Sequence, residues 1–136
     1  MSAATPFTVM VNALPTITLG ASTSVCMGTT ASSLPYTATT DSPDSYIISY
    51  DAAAITAGFV DVAATALPAT PIGLVIPSTA AAGTYNGTVT VTNTTTGCVS
   101  AATPFTVTTL GISTAPVIAA TSTLSLIHIS EPTRPY

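Results

Sequence analysis

The sequence predicts an all-β protein, an antiparallel β-sandwich of about seven strands with at most one short helix. Three observations carry that prediction. Apolar residues alternate with Thr and Ser at a period of two in several short runs. Proline and glycine, 11 and 8 residues respectively, separate those runs. A single segment carries helix signals, so two packed sheets are the layer arrangement left to bury the apolar faces.

Taken in order, the elements justify themselves. PTITL at Pro15–Leu19 is a short alternating strand, and the LPYTAT stretch beginning at Leu34 is a second. SYIISY at Ser45–Tyr50 puts Tyr46, Ile48 and Tyr50 on one side. DAAAITAG at Asp51–Gly58 is the helical candidate, with Asp51 as N-cap and Gly58 just beyond its end. In PIGLVIP, Ile72, Leu74 and Ile76 share a face. TYNGTVTVTN sets Tyr85, Val89 and Val91 against Thr84, Asn86, Thr88, Thr90 and Thr92, a half-buried strand with a threonine-rich solvent face. TTTGC then turns the chain, and VSAATPFTV returns as the partner with Phe105 and Val107 directed inward.

Charge narrows the functional classes. Residues 1–123 contain no Lys, Arg, His or Glu, and their carboxylates are Asp41, Asp44, Asp51 and Asp61. A basic patch is impossible there, so nucleic acid is excluded as a partner, as is an anionic membrane surface. Membrane insertion is not expected, because no run approaches the roughly 18 apolar residues that a spanning helix needs. The first residues lack the basic and apolar regions of a signal peptide. With 47% apolar residues and little charge, the chain is not disordered by composition.

Internal repetition sets the expected boundaries. SAATPFTV occurs at Ser2–Val9 and again, letter for letter, at Ser100–Val107, 98 residues further on. PTITL has a weaker echo in PVIAA at Pro116–Ala120. Residues 1–12 are therefore read as the last strand of a preceding repeat, 13–110 as a complete repeat and 111–123 as the start of a following one. Met1 stands where the second copy has Val99, the swap a GTG codon gives when read as a start. Leu124–Arg134, LSLIHISEPTR, holds the chain's one histidine and one basic residue. It resembles the translation of a transposase-type sequencing adapter, and 124–136 is set aside as a non-native tail.

Chemistry has little to work with. Serine nucleophiles have no imidazole or amine base, and phosphate clamps have no Lys or Arg. No phosphate-binding glycine loop occurs. Asp41 and Asp44 in TTDSPDSY are the closest carboxylate pair and the only calcium candidates; Asp-Ser-Pro-Asp is better read as a turn. No cofactor and no catalysis are expected. The sequons at Asn86 and Asn93 are read as chance products of a threonine-rich strand face.

On the motifs SVCMGTT, SYIISYD, AAAGTYNGTVTVTN and TTGCVSAATPFTV, residues 15–109 resemble the immunoglobulin-like or PKD-like tandem repeats of very large bacterial cell-surface proteins of the adhesin type. Gly-x-Tyr entering a late strand is similar to a tyrosine corner, with Tyr85 as the candidate. The resemblance implies an immunoglobulin-like sandwich, secreted or surface-attached, whose partners are neighbouring repeats of its own chain. In that compartment the pair Cys26 and Cys98 reads as a disulfide rather than as free thiols or half a zinc site, with a contribution of roughly 4 kcal/mol. A structural spacer or stalk repeat is the expected function. The alternatives are a glycan- or protein-binding module, or a filament subunit that assembles by exchanging its N-terminal strand.

Overall fold

The computed structural model describes residues 1–113; residues 114–123 of the expected following repeat and the adapter-like tail lie outside the described residues. Residues 1–15 form no strand, and the first fourteen are exposed throughout. The fold is all-β. It begins with β1 (Thr16–Leu19), β2 (Thr23–Cys26), β3 (Ala31–Leu34), β4 (Tyr36–Thr40) and β5 (Ser45–Tyr50). Then come α1 (Ala52–Ala57), β6 (Val62–Ala66), β7 (Ile72–Val75), β8 (Gly83–Asn93), β9 (Cys98–Val99) and β10 (Thr103–Leu110).

The larger sheet runs β2-β10-β8-β5-β6, with β9 pairing the end of β8. All its pairs are antiparallel except β2 with β10, where Thr23 lies beside Val107 and Cys26 beside Leu110. Opposite it lie two short ladders, β1 with β4 and β3 with β7. Pro35 explains why these ladders are separate. It has no N–H to donate, so the strand breaks between β3 and β4 and each half takes a different partner. The Gly20 amide closes this junction by donating to the Pro35 carbonyl at 2.7 Å.

Alternation determines the core. Ile17, Leu34, Ile72 and Leu74 come from the short ladders, and Tyr46, Ile48, Val89, Val91, Phe105 and Val107 from the larger sheet; all are buried. These two sets face each other and form one apolar layer, as the period-two reading expects. Helix α1 closes one edge through Ala54 and the following Phe59. Its ends are as expected. The Asp51 side chain accepts from the Ala54 amide, and Gly58 sits in the left-handed region at φ 106°.

Beyond the expected set the fold adds β2, β3 and β6, and it separates β9 from β10 within the expected return strand. β6 is VAATA, mostly exposed at the sheet edge, and its alanines give no strand signal. β2 is four residues long and half-buried, too short for alternation to identify it. Both are held by neighbours distant in sequence.

Candidate functional site

The larger sheet fixes two poles. β8 begins at Gly83, which pairs with Thr109, and there Leu110 lies beside Cys26. We call this the distal pole. β8 ends at Asn93, which pairs with Cys98, and this proximal pole also holds the start of β1. Thr16 pairs with Thr40, and the turn that follows Thr40 is bound to the end of β8. Eleven residues of strand separate the poles, about 30 Å at the usual rise. The chain therefore enters the sandwich at one pole and leaves it at the other.

This geometry corrects the disulfide expectation. Cys26 is at the distal pole and Cys98 at the proximal pole, and both thiols are free. A disulfide needs Cα atoms within about 7 Å, far less than the length of β8. Each cysteine lies beside a glycine turn in the sequence, but the two turns belong to opposite ends of the sheet.

The carboxylates act as latches. Both oxygens of Asp44 are used by Thr94, one accepting from its amide at 2.9 Å and the other from its hydroxyl at 2.6 Å. These two bonds hold the Asp44 carboxyl below the usual carboxylate range, the Thr94 hydroxyl having the larger effect. Asp41 turns the chain at φ 56°, and its carbonyl accepts from Asn93 Nδ2 at 2.9 Å. Asp41 and Asp44 thus tie the β4–β5 turn to the β8–β9 hairpin. Among the described residues, no three His, Cys, Asp or Glu side chains gather where a metal ion would be held.

Asp51 has two roles. Oδ1 caps α1, while Oδ2 accepts from Asn86 Nδ2 at 2.9 Å, so the Ala54 amide first and Asn86 second lower its pKa. Asp61 Oδ1 accepts from the Tyr50 amide at 2.7 Å. The Tyr50 phenol is pushed up to about 12, mainly by burial and then by the charge of Asp61. Both sequons lie in structural bonds. Asn93 Oδ1 accepts from the amides of Thr95 and Thr96, shaping the hairpin turn. Tyr85 Oη donates to the Ala81 carbonyl, four residues back, at 2.9 Å.

Tyr50, Phe59, Tyr85 and Phe105 form a chain of rings with centroids 4.9–5.9 Å apart. Gly87 makes room for it: a Cβ there would stand 2.6 Å from Phe105 Cζ. Nearby, an open groove of about 560 Å³ runs across β5, β8 and β10. Ser49, Asn86, Thr88, Pro104 and Thr106 alternate with inward residues on these strands and line the groove from the solvent face. Its polar groups donate and accept hydrogen bonds but supply no charged base or acid beyond Asp51.

No protein-family model, curated protein or solved structure gives a significant match to this chain. No helix among the described residues is long and apolar enough to cross a membrane. The latches were missed by sequence reasoning because Asp44 and Thr94 are 50 residues apart. Nothing local marks them as partners.

Proposed function

We propose that residues 13–110 are a non-catalytic structural repeat, a spacer or stalk module of a large secreted or surface-attached bacterial protein of the adhesin type. The observation that carries this reading is the placement of β1 and β10. With the chain entering at the proximal pole and leaving at the distal pole, successive copies would join end to end, each adding its long axis to a stalk. The linker from the first SAATPFTV copy to β1 is short, which favours stiff joints.

The finer fold reading is an immunoglobulin-like or PKD-like sandwich. Its support is the order β2-β10-β8-β5-β6 with a parallel edge pair, and the bond from Tyr85 to Ala81 at the start of β8. The expected partners are neighbouring repeats, outside the cell or at its surface. The test is X-ray scattering from a polypeptide carrying two copies of residues 13–110 joined in series. The stalk reading expects the maximum dimension to grow by about 30–40 Å for the added copy. A compact side-by-side pair would refute it.

A second reading rests on the groove, whose mainly apolar lining, with Tyr50 and Phe105 beside the polar groups of Ser49, Asn86, Thr88 and Thr106, suits a glycan or a peptide segment. Titration with oligosaccharides, followed at the Asn86, Thr88 and Thr106 amides, separates the two. Saturable shifts confined to these residues would favour a binding module; unchanged spectra favour the spacer.

A further inference from the structure

The β10 slot and the N-terminal segment fit each other residue for residue. In β10, Phe105 and Val107 are 6% and 0% exposed. Their counterparts in the first copy, Phe7 and Val9, are 85% and 75% exposed. The same register places Val11 at the site of Thr109, which is buried and donates through Oγ1 to the Ala81 and Gly83 carbonyls. Thr5–Val11 therefore carries every apolar side chain the slot holds and lacks one hydroxyl that it uses.

We infer that Thr5–Val11 of one molecule occupies the β10 slot of a second copy of this chain, pairing with its β8 and β2. The inference stands apart from the stalk reading, because it needs only the duplicated strand and the geometry of the slot. A chain cannot fill its own slot with this segment. In the slot, Val11 would lie at the distal pole beside β2, whereas Thr16 starts β1 at the proximal pole, about 30 Å away. The five steps from Val11 to Thr16 reach about 17 Å when fully extended. Between molecules the same short connection is satisfied when the donor's proximal pole meets the acceptor's distal pole. That contact is head-to-tail and leaves both ends open for further copies.

Exchange swaps like for like, so the covalently attached resident strand holds the slot at low concentration. The test removes this advantage. In full-length V107D the resident strand would bury an unpaired carboxylate at a fully enclosed site. Among the described residues, the intact strand left for the slot is then a neighbour's Thr5–Val11. V107D is expected to be unfolded when dilute and to gain cooperative folding, together with oligomers in sedimentation, as concentration rises. The double variant V9D/V107D, which spoils both copies, is expected to stay unfolded throughout. Adding V11T to V107D restores the missing hydroxyl and should strengthen assembly about fivefold. Association through mere apolar exposure would change in the opposite direction, since V11T removes apolar surface. The inference is overturned if V107D stays monomeric at every concentration, folded or not. It is equally overturned if V9D/V107D matches V107D, or if V11T weakens assembly.

Discussion

Ser2–Val9 and Ser100–Val107 are the same eight residues in two different states. The second copy supplies most of β10, paired on one side with β8 and on the other with β2. The first forms no strand, and Phe7 and Val9 face solvent. Intrinsic propensity cannot distinguish them, because it is identical. The difference lies in what surrounds each copy: a hairpin through Asn93–Gly97 delivers the second to an open slot, and no such partner stands beside the first. Strand formation here is a property of the pair and not of the segment.

Paired substitutions break that comparison most sharply. Phe105→Ala should lower stability by about 3–5 kcal/mol, since the ring fills the core over Gly87. Phe7→Ala should stay within about 0.5 kcal/mol of the parent. Urea unfolding of the two variants checks both figures. Equal losses would mean that the first copy is also packed.

Gly87 tests the slot from its other side. Gly87→Ala would drive a methyl into Phe105 and crowd Tyr50, so a loss of about 1–3 kcal/mol is expected from thermal or urea unfolding.

The latches make a smaller, pH-dependent difference between the poles. Asp44 and Asp51 bind protons less readily folded than unfolded. The stability they add is present above about pH 4 and is lost as pH falls through their lowered folded values. Tyr50 behaves oppositely, with its contribution complete below about pH 10 and lost as pH rises through about 12. Between about pH 5 and 9 the melting temperature should be nearly flat, since residues 1–123 hold no histidine. Asp44→Asn should shallow the acid limb without moving the alkaline one, as melting curves across pH will show.

The smallest effect should come from removing the first copy altogether. Deletion of residues 2–12 is expected to leave the stability of the sandwich within about 0.5 kcal/mol of the parent. A large loss would place the segment within this fold.

Much of the fold was legible because period-two alternation reports burial directly. Ile72, Leu74 and Ile76, or Val89 and Val91, need no partner to show which face is apolar. The cap at Asp51 and the left-handed Gly58 were legible for the same local reason. The missed features are long-range. β6 carries no strand signal of its own and is defined by its pairing with Tyr46 and Ile48. Cys26 and Cys98 look alike in sequence, and the strand order alone puts them at opposite poles. At the candidate site, the carboxylates were visible as turn residues, but Thr94 and Asn86 as their partners were not.

The account turns on β10 being the copy that closes the sandwich, and amide hydrogen exchange resolves the two copies in one experiment. Thr106 and Val107 should exchange slowly, with protection near that of Val89 and Val91 in the centre of β8. Thr8 and Val9, though chemically identical to them, should exchange at the rate of an unprotected chain in dilute protein. Equal protection of both copies, or protection of the first alone, would contradict the account.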